Sequence, residues 1–93
     1  LGAAPETHHS RALRNLELVG EALNDFNESM DQRDCGSAFL DVKEMTVDLY
    51  RAHMDIVDAG KPADLENRYK SVARKRAEAE AVFATRCVLR RPR

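Results

Sequence analysis

Two thiols carry the most defined chemistry in this chain of 93 residues. Cys35 and Cys87 lie 25 residues before and 27 residues after Gly60, and Gly60-Lys61-Pro62 is the strong helix-breaking signal between them. If the flanking segments are antiparallel helices, the mismatch along the axis is roughly 3 Å at 1.5 Å rise per residue. The two sulfurs then meet at the open end of the hairpin, and a disulfide is the favoured reading over two buried thiols left reduced in a cytosol. Closing a loop of about 50 residues contributes about 4 kcal/mol in the chain-entropy account. A redox-active pair is not expected, because there is no Cys-x-x-Cys.

The histidines are the next candidates. In an up-down-up arrangement, His9 near the start of the first helix returns to the level of His53 near the end of the second, with Asp55 or Asp58 close by. Three such ligands suit zinc or nickel. No His-x-x-x-His or Glu-x-x-His spacing supports that site, so no metal or cofactor is expected, and His53 is read as packing against Tyr69 or Leu65. Thr46, Arg76 and Glu80 fall on faces that are otherwise apolar, at one level of the hairpin, and read as a polar layer that fixes register.

Catalytic constellations are missing from the sequence. Gly2, Gly20, Gly36 and Gly60 stand alone and form no phosphate-cradling loop, and no nucleophile elbow or isolated carboxylate pair is present. A non-enzyme is expected. Charge offers a different chemistry. Residues 1–33, 34–59 and 60–93 carry segment charges of −3, −4 and +6, which together make the net −1. Arg68, Lys70, Arg74, Lys75, Arg86, Arg90 and Arg91 could follow a phosphate backbone. Glu66, Glu78 and Glu80 interrupt that run and no stacking aromatic lies within it, so nucleic-acid binding is the alternative and pairing between helix flanks the simpler reading.

These groups need long helices to position them. Charged residues are 33% of the chain and aromatics 5%, with no Trp, a balance that favours helices with charged outer faces. No apolar run approaches the roughly 20 residues that cross a bilayer, so a soluble chain without a membrane partner is expected. The chain opens Leu1-Gly2 without an initiator Met, as a processed chain or a fragment would, and Gly2-Ala3-Ala4 suits a signal-peptide remnant only weakly.

A first helix is predicted over about 8–31, where Leu16, Val19, Leu23, Phe26 and Met30 advance by threes and fours. Asp31-Gln32-Arg33-Asp34 is a short polar connection, with Asp34 or Ser37 as the next cap. The second helix, about 35–59, is apolar on two faces. Cys35, Ala38, Phe39, Val42, Met45, Leu49, Ile56 and Val57 form one broad stripe, and Leu40, Val47 and Met54 form another at intervals of seven. Asp41, Asp48 and Asp55, also seven apart, are predicted to point outward into solvent. Gly60 stops this helix and Pro62 suits the first turn of a third, about 62–88, whose inner face carries Leu65, Tyr69, Val72, Phe83 and Cys87. Its alanines, among them Ala73, Ala77, Ala79, Ala81 and Ala84, allow close approach. Residues 1–7 and 89–93 are expected to be flexible.

Asp34-Cys35-Gly36-Ser37-Ala38 at the start of one helix and Phe83-Ala84-Thr85-Arg86-Cys87-Val88 at the end of the next resemble small all-helical proteins encoded in bacteriophage genomes. Those proteins share an Asp-Cys-x-x-Ala start and a Phe-x-x-x-Cys end. The resemblance covers some 55 residues and implies a helical fold and a phage origin, but no activity. An oxidising compartment follows if the thiols are bridged, a host cytoplasm if they are free.

The expected fold is all-α: one domain, an antiparallel three-helix bundle with a long hairpin of the second and third helices stapled by Cys35 and Cys87. The expected function is a non-catalytic protein-binding or self-associating module of adaptor or inhibitor type. Its contact surface is Leu18, Leu40, Val47 and Met54, and its partner another protein or a second copy, since the first helix is expected to cover the second only loosely.

Overall fold

The helix starts and stops follow from local hydrogen bonding. In the computed structural model, which describes residues 6–89, α1 runs His8–Asp31, α2 Cys35–Asp58 and α3 Ala63–Phe83, continued by a π-helical turn over Ala84–Val88. Thr7 caps α1 reciprocally: its hydroxyl accepts from the Ser10 amide at 3.0 Å, and the Ser10 hydroxyl accepts from the Thr7 amide at 3.0 Å. Glu6 pairs with Arg14. Residues 6 and 7, expected to be flexible, thus carry the cap and an ion pair, while residues 1–5 lie outside the described region. At the other end the Leu89 amide closes the π turn on the Ala84 carbonyl at 2.7 Å, and residues 90–93, expected to fray, lie outside the described region.

Both interhelix connections use the same device. After α2, the Gly60 amide donates to the Val57 carbonyl at 3.0 Å and the Lys61 amide to the Ile56 carbonyl at 2.8 Å, with Gly60 at φ 86°. After α1, Arg33 donates to Met30 at 3.0 Å and Asp34 to Ser29 at 2.8 Å, with Arg33 at φ 57°. This double bond pattern turns the chain sharply and satisfies the last carbonyls of each helix. Asp34 then caps α2, accepting from the Ser37 amide at 3.0 Å and the Ser37 hydroxyl at 2.7 Å. Those two bonds, the amide first, hold its carboxyl below the ordinary aspartate range. Pro62 sits one position earlier than expected, at the N-cap of α3, and Asp64 and Glu66 in the first turn complement the helix dipole.

The core lies mainly between α1 and α2. Phe26, Met45 and Val19 are fully buried, with Leu16, Ala22, Met30, Ala38, Val42, Leu49, Ala52 and Ala79 around them, and a smaller cluster of Ala12, Ile56 and Leu65 closes the hairpin end. Alanines at Ala12, Ala22, Ala38 and Ala52 let the two backbones approach closely. The expectation of a loosely attached first helix is thus reversed. On α3 only Leu65 and Ala79 are buried, while Ala77 and Ala81 are exposed. The third helix lies over the α1 and α2 pair as the lighter partner, because its sequence supplies fewer large apolar residues to its inner face.

The aspartates of α2 also stand against expectation. Asp48 is buried and Asp41 and Asp55 are half-buried, because they face α1 rather than solvent. Ser29 donates to Asp41 at 3.0 Å and Asn15 donates to Asp55 at 3.1 Å. In that antiparallel register the step of seven sets Ala22 opposite Asp48, leaving room for a carboxylate where a larger side chain would clash. Polar pairs therefore stand toward both ends of the α1 and α2 interface, and a slip by one turn would unpair them.

The bridge expected between Cys35 and Cys87 is present, with Cα atoms 5.8 Å apart across a sequence separation of 52. Phe39 and Phe83 stack beside it with ring centroids 6.0 Å apart. Arg76 donates to the Thr46 hydroxyl at 3.2 Å and lies 3.5 Å from Glu80, so the polar layer between α2 and α3 forms where it was expected.

Candidate interaction surface

The outer face of α2 is the strongest candidate. Helical periodicity places Leu40, Val47 and Met54 directly opposite the core residues Ala38, Met45 and Ala52. Tyr50 and Val57 lie beside them on the same face, and these five side chains are between 39% and 64% exposed. Leu18 of α1 extends the surface: it lines a shallow depression with Lys43, Glu44, Val47, Asp48 and Arg51. All four residues predicted for the contact surface are therefore exposed in the single chain. Sequence reasoning missed Tyr50 and put Val57 and Phe39 on the inner stripe. The inner face of α2 is centred on Ala38, Met45 and Ala52, and Val57 and Phe39 fall beyond its edge. A second period of seven through Lys43, Tyr50 and Val57 was the signal for the missed pair.

A second cluster joins the helix ends near the Gly60 turn. His8 Nδ1 lies 3.4 Å from Asp55 Oδ1 and 3.9 Å from Asp58 Oδ2, and the three residues have ligand atoms close enough to share a cation. Arg11 competes for the same groups, with Nη2 2.9 Å from His8 Nδ1 and Nε 3.6 Å from Asp55 Oδ1. A guanidinium already supplies the positive charge there, so the arrangement acts as a polar latch between α1 and the end of α2. The histidines named from the sequence are elsewhere. His9 faces Asp64 of α3 at 3.3 Å, and His53 packs on Tyr69 with ring centroids 5.7 Å apart. The hand of α1 turns His8, not His9, toward the carboxylates.

The basic residues of α3 do not form one track. Lys75 and Arg86 open onto a groove whose opposite wall carries Glu17, Glu21 and Asp31 of α1. Arg68 lies on that same flank of α3 by helical period, while Lys70 and Arg74 point away from the bundle, so these cations occupy two faces. Arg90 and Arg91 lie outside the described residues. Among the described residues, no helix is long and apolar enough to cross a membrane.

Comparison with protein-family models, with curated proteins and with solved structures finds no match for this chain.

Proposed function

We propose that this protein is a non-catalytic helical module that binds protein through the outer face of α2. One observation carries the reading: α2 is apolar on both sides, and among the described residues only one side is covered. These five side chains keep 39% to 64% of their surface in water, so covering them contributes about half of the roughly 1.5 to 3 kcal/mol that full burial of a large apolar side chain brings. Contiguous apolar surface of this kind marks protein contact sites, and a helix face read at intervals of three, four and seven is the usual form of helix-mediated recognition. The polar pairs and the bridge support the same reading, since they hold the helix that presents the surface in one register.

Val47→Glu places a charge at the centre of the face without touching the core. Association with a protein partner, whether a second copy or another chain, is expected to be lost in that variant. Helicity of the monomer by circular dichroism is expected to stay at the wild-type value. Association that survives Val47→Glu unchanged overturns the proposal. The nucleic-acid alternative makes a different prediction, a duplex or single-strand affinity that falls steeply with salt and disappears in Arg74→Ala/Lys75→Ala/Arg90→Ala.

A further inference from the structure

Resting on that reading of α2, we propose that the occupant of its outer face is a second copy of this chain, docked α2 against α2 in antiparallel orientation. In this arrangement Glu44 of each copy pairs with Arg51 of the other. Leu40, Val47 and Met54 occupy one seam position of a heptad and Lys43, Tyr50 and Val57 the other, so five of six seam residues are apolar and all six are exposed. Glu44, Arg51 and Asp58 follow on the flank.

The charges select the orientation. In a parallel pair Lys43 would face Lys43 across the seam, an unfavourable contact between like charges. In an antiparallel pair three registers bring most of the seam together. One sets Glu44 against Glu44. Another sets Arg51 against Arg51 and Glu44 against Asp58. The third places Leu40 opposite Val57, Val47 opposite Tyr50 and Met54 opposite the aliphatic stem of Lys43, and it alone brings Glu44 of one copy beside Arg51 of the other, twice by symmetry. Lys43 already lies along the surface, its Nζ 5.4 Å from the centroid of the Phe39 ring, so its charge can reach the rim while its stem is covered. Among the described residues, Arg51 has a single long ion-pair contact of 3.9 Å, to Asp48. The Arg51 side chain is 65% exposed, on the flank where the carboxylate of the second copy would lie.

Sedimentation equilibrium on the oxidised chain at low ionic strength tests the arrangement. Wild type is expected to dimerise. Glu44→Arg and Arg51→Glu are each expected to weaken the dimer by about tenfold or more, because each places two like-charge contacts across the seam. An equal mixture of the two variants restores association as a heterodimer, and the double variant Glu44→Arg/Arg51→Glu dimerises with itself again. Both positions are exposed, so circular dichroism of all three variants is expected to match wild type. A wild-type chain that stays monomeric overturns this inference, as do single variants that associate like wild type with no gain on mixing. If the monomer instead binds a different protein in a manner abolished by Val47→Glu, the second copy is excluded while the protein-binding reading stands; if neither association occurs, both fall.

Discussion

Arg33 and Gly60 occupy the same position in two equivalent turns, and only one of them is a glycine. A side chain in the left-handed region costs roughly 1 to 2 kcal/mol from contact between its Cβ and the backbone, yet Arg33 holds φ 57° because the double amide bond to Met30 and Ser29 defines the turn. Arg33→Gly is therefore expected to stabilise the fold by about 1 kcal/mol, offset in part by the greater freedom of glycine in the unfolded chain. A denaturant midpoint that moves up at unchanged slope is the check. The Gly60 turn was legible from its residue type, whereas the Arg33 turn was legible only as a short polar link. Nothing in an arginine signals a positive φ; the cap that follows at Asp34 and the need to reverse direction impose it.

Helix boundaries were readable because caps and breakers act within a few residues, and the three predicted spans agree with the observed ones to within a turn. Helix faces were harder to read. A period of seven identifies residues that share a face but does not say which neighbour covers it, and the same spacing describes Asp41, Asp48 and Asp55, which face α1, and Leu40, Val47 and Met54, which face solvent. Treating every carboxylate as solvent-facing put the aspartate row on the wrong side. The partners that reverse the assignment, Ser29 and Asn15, are distant in sequence. Asp55→Ala removes the acceptor of Asn15 and the carboxylate that faces Arg11 and His8 and is expected to destabilise the chain by about 2 kcal/mol. Asp55→Asn, which keeps an acceptor for Asn15, is expected to cost less than Asp55→Ala in the same urea titration.

At the scale of the molecule, α1 and α2 form the principal packed pair and α3 is held over them by few buried residues and one covalent link. The bridge between Cys35 and Cys87 closes a loop with a sequence separation of 52, worth about 4 kcal/mol by loop-closure entropy. That is a large share of the stability of a domain this small. Cys35→Ser/Cys87→Ser, or reduction of wild type, is expected to lower stability by up to that amount. Hydrogen exchange should then show amides 80–88 losing protection first, while those of α1 and α2 keep theirs longer. Uniform loss of protection over all three helices would mean that α3 and the α1 and α2 pair unfold as one unit.

The all-helical class, the three spans, the bend at Gly60 and the meeting of the two cysteines were legible in the residues alone, because each depends on local propensity or on counting residues along a rod of fixed rise. That α1 packs against α2 more closely than α3 does, that the aspartate row turns toward α1, and that His8 meets Asp55 follow from the packed fold alone. Those outcomes depend on how the helices rotate about their axes and cross, and that is set by the fit of alanines, carboxylates and aromatic rings drawn from separate parts of the chain.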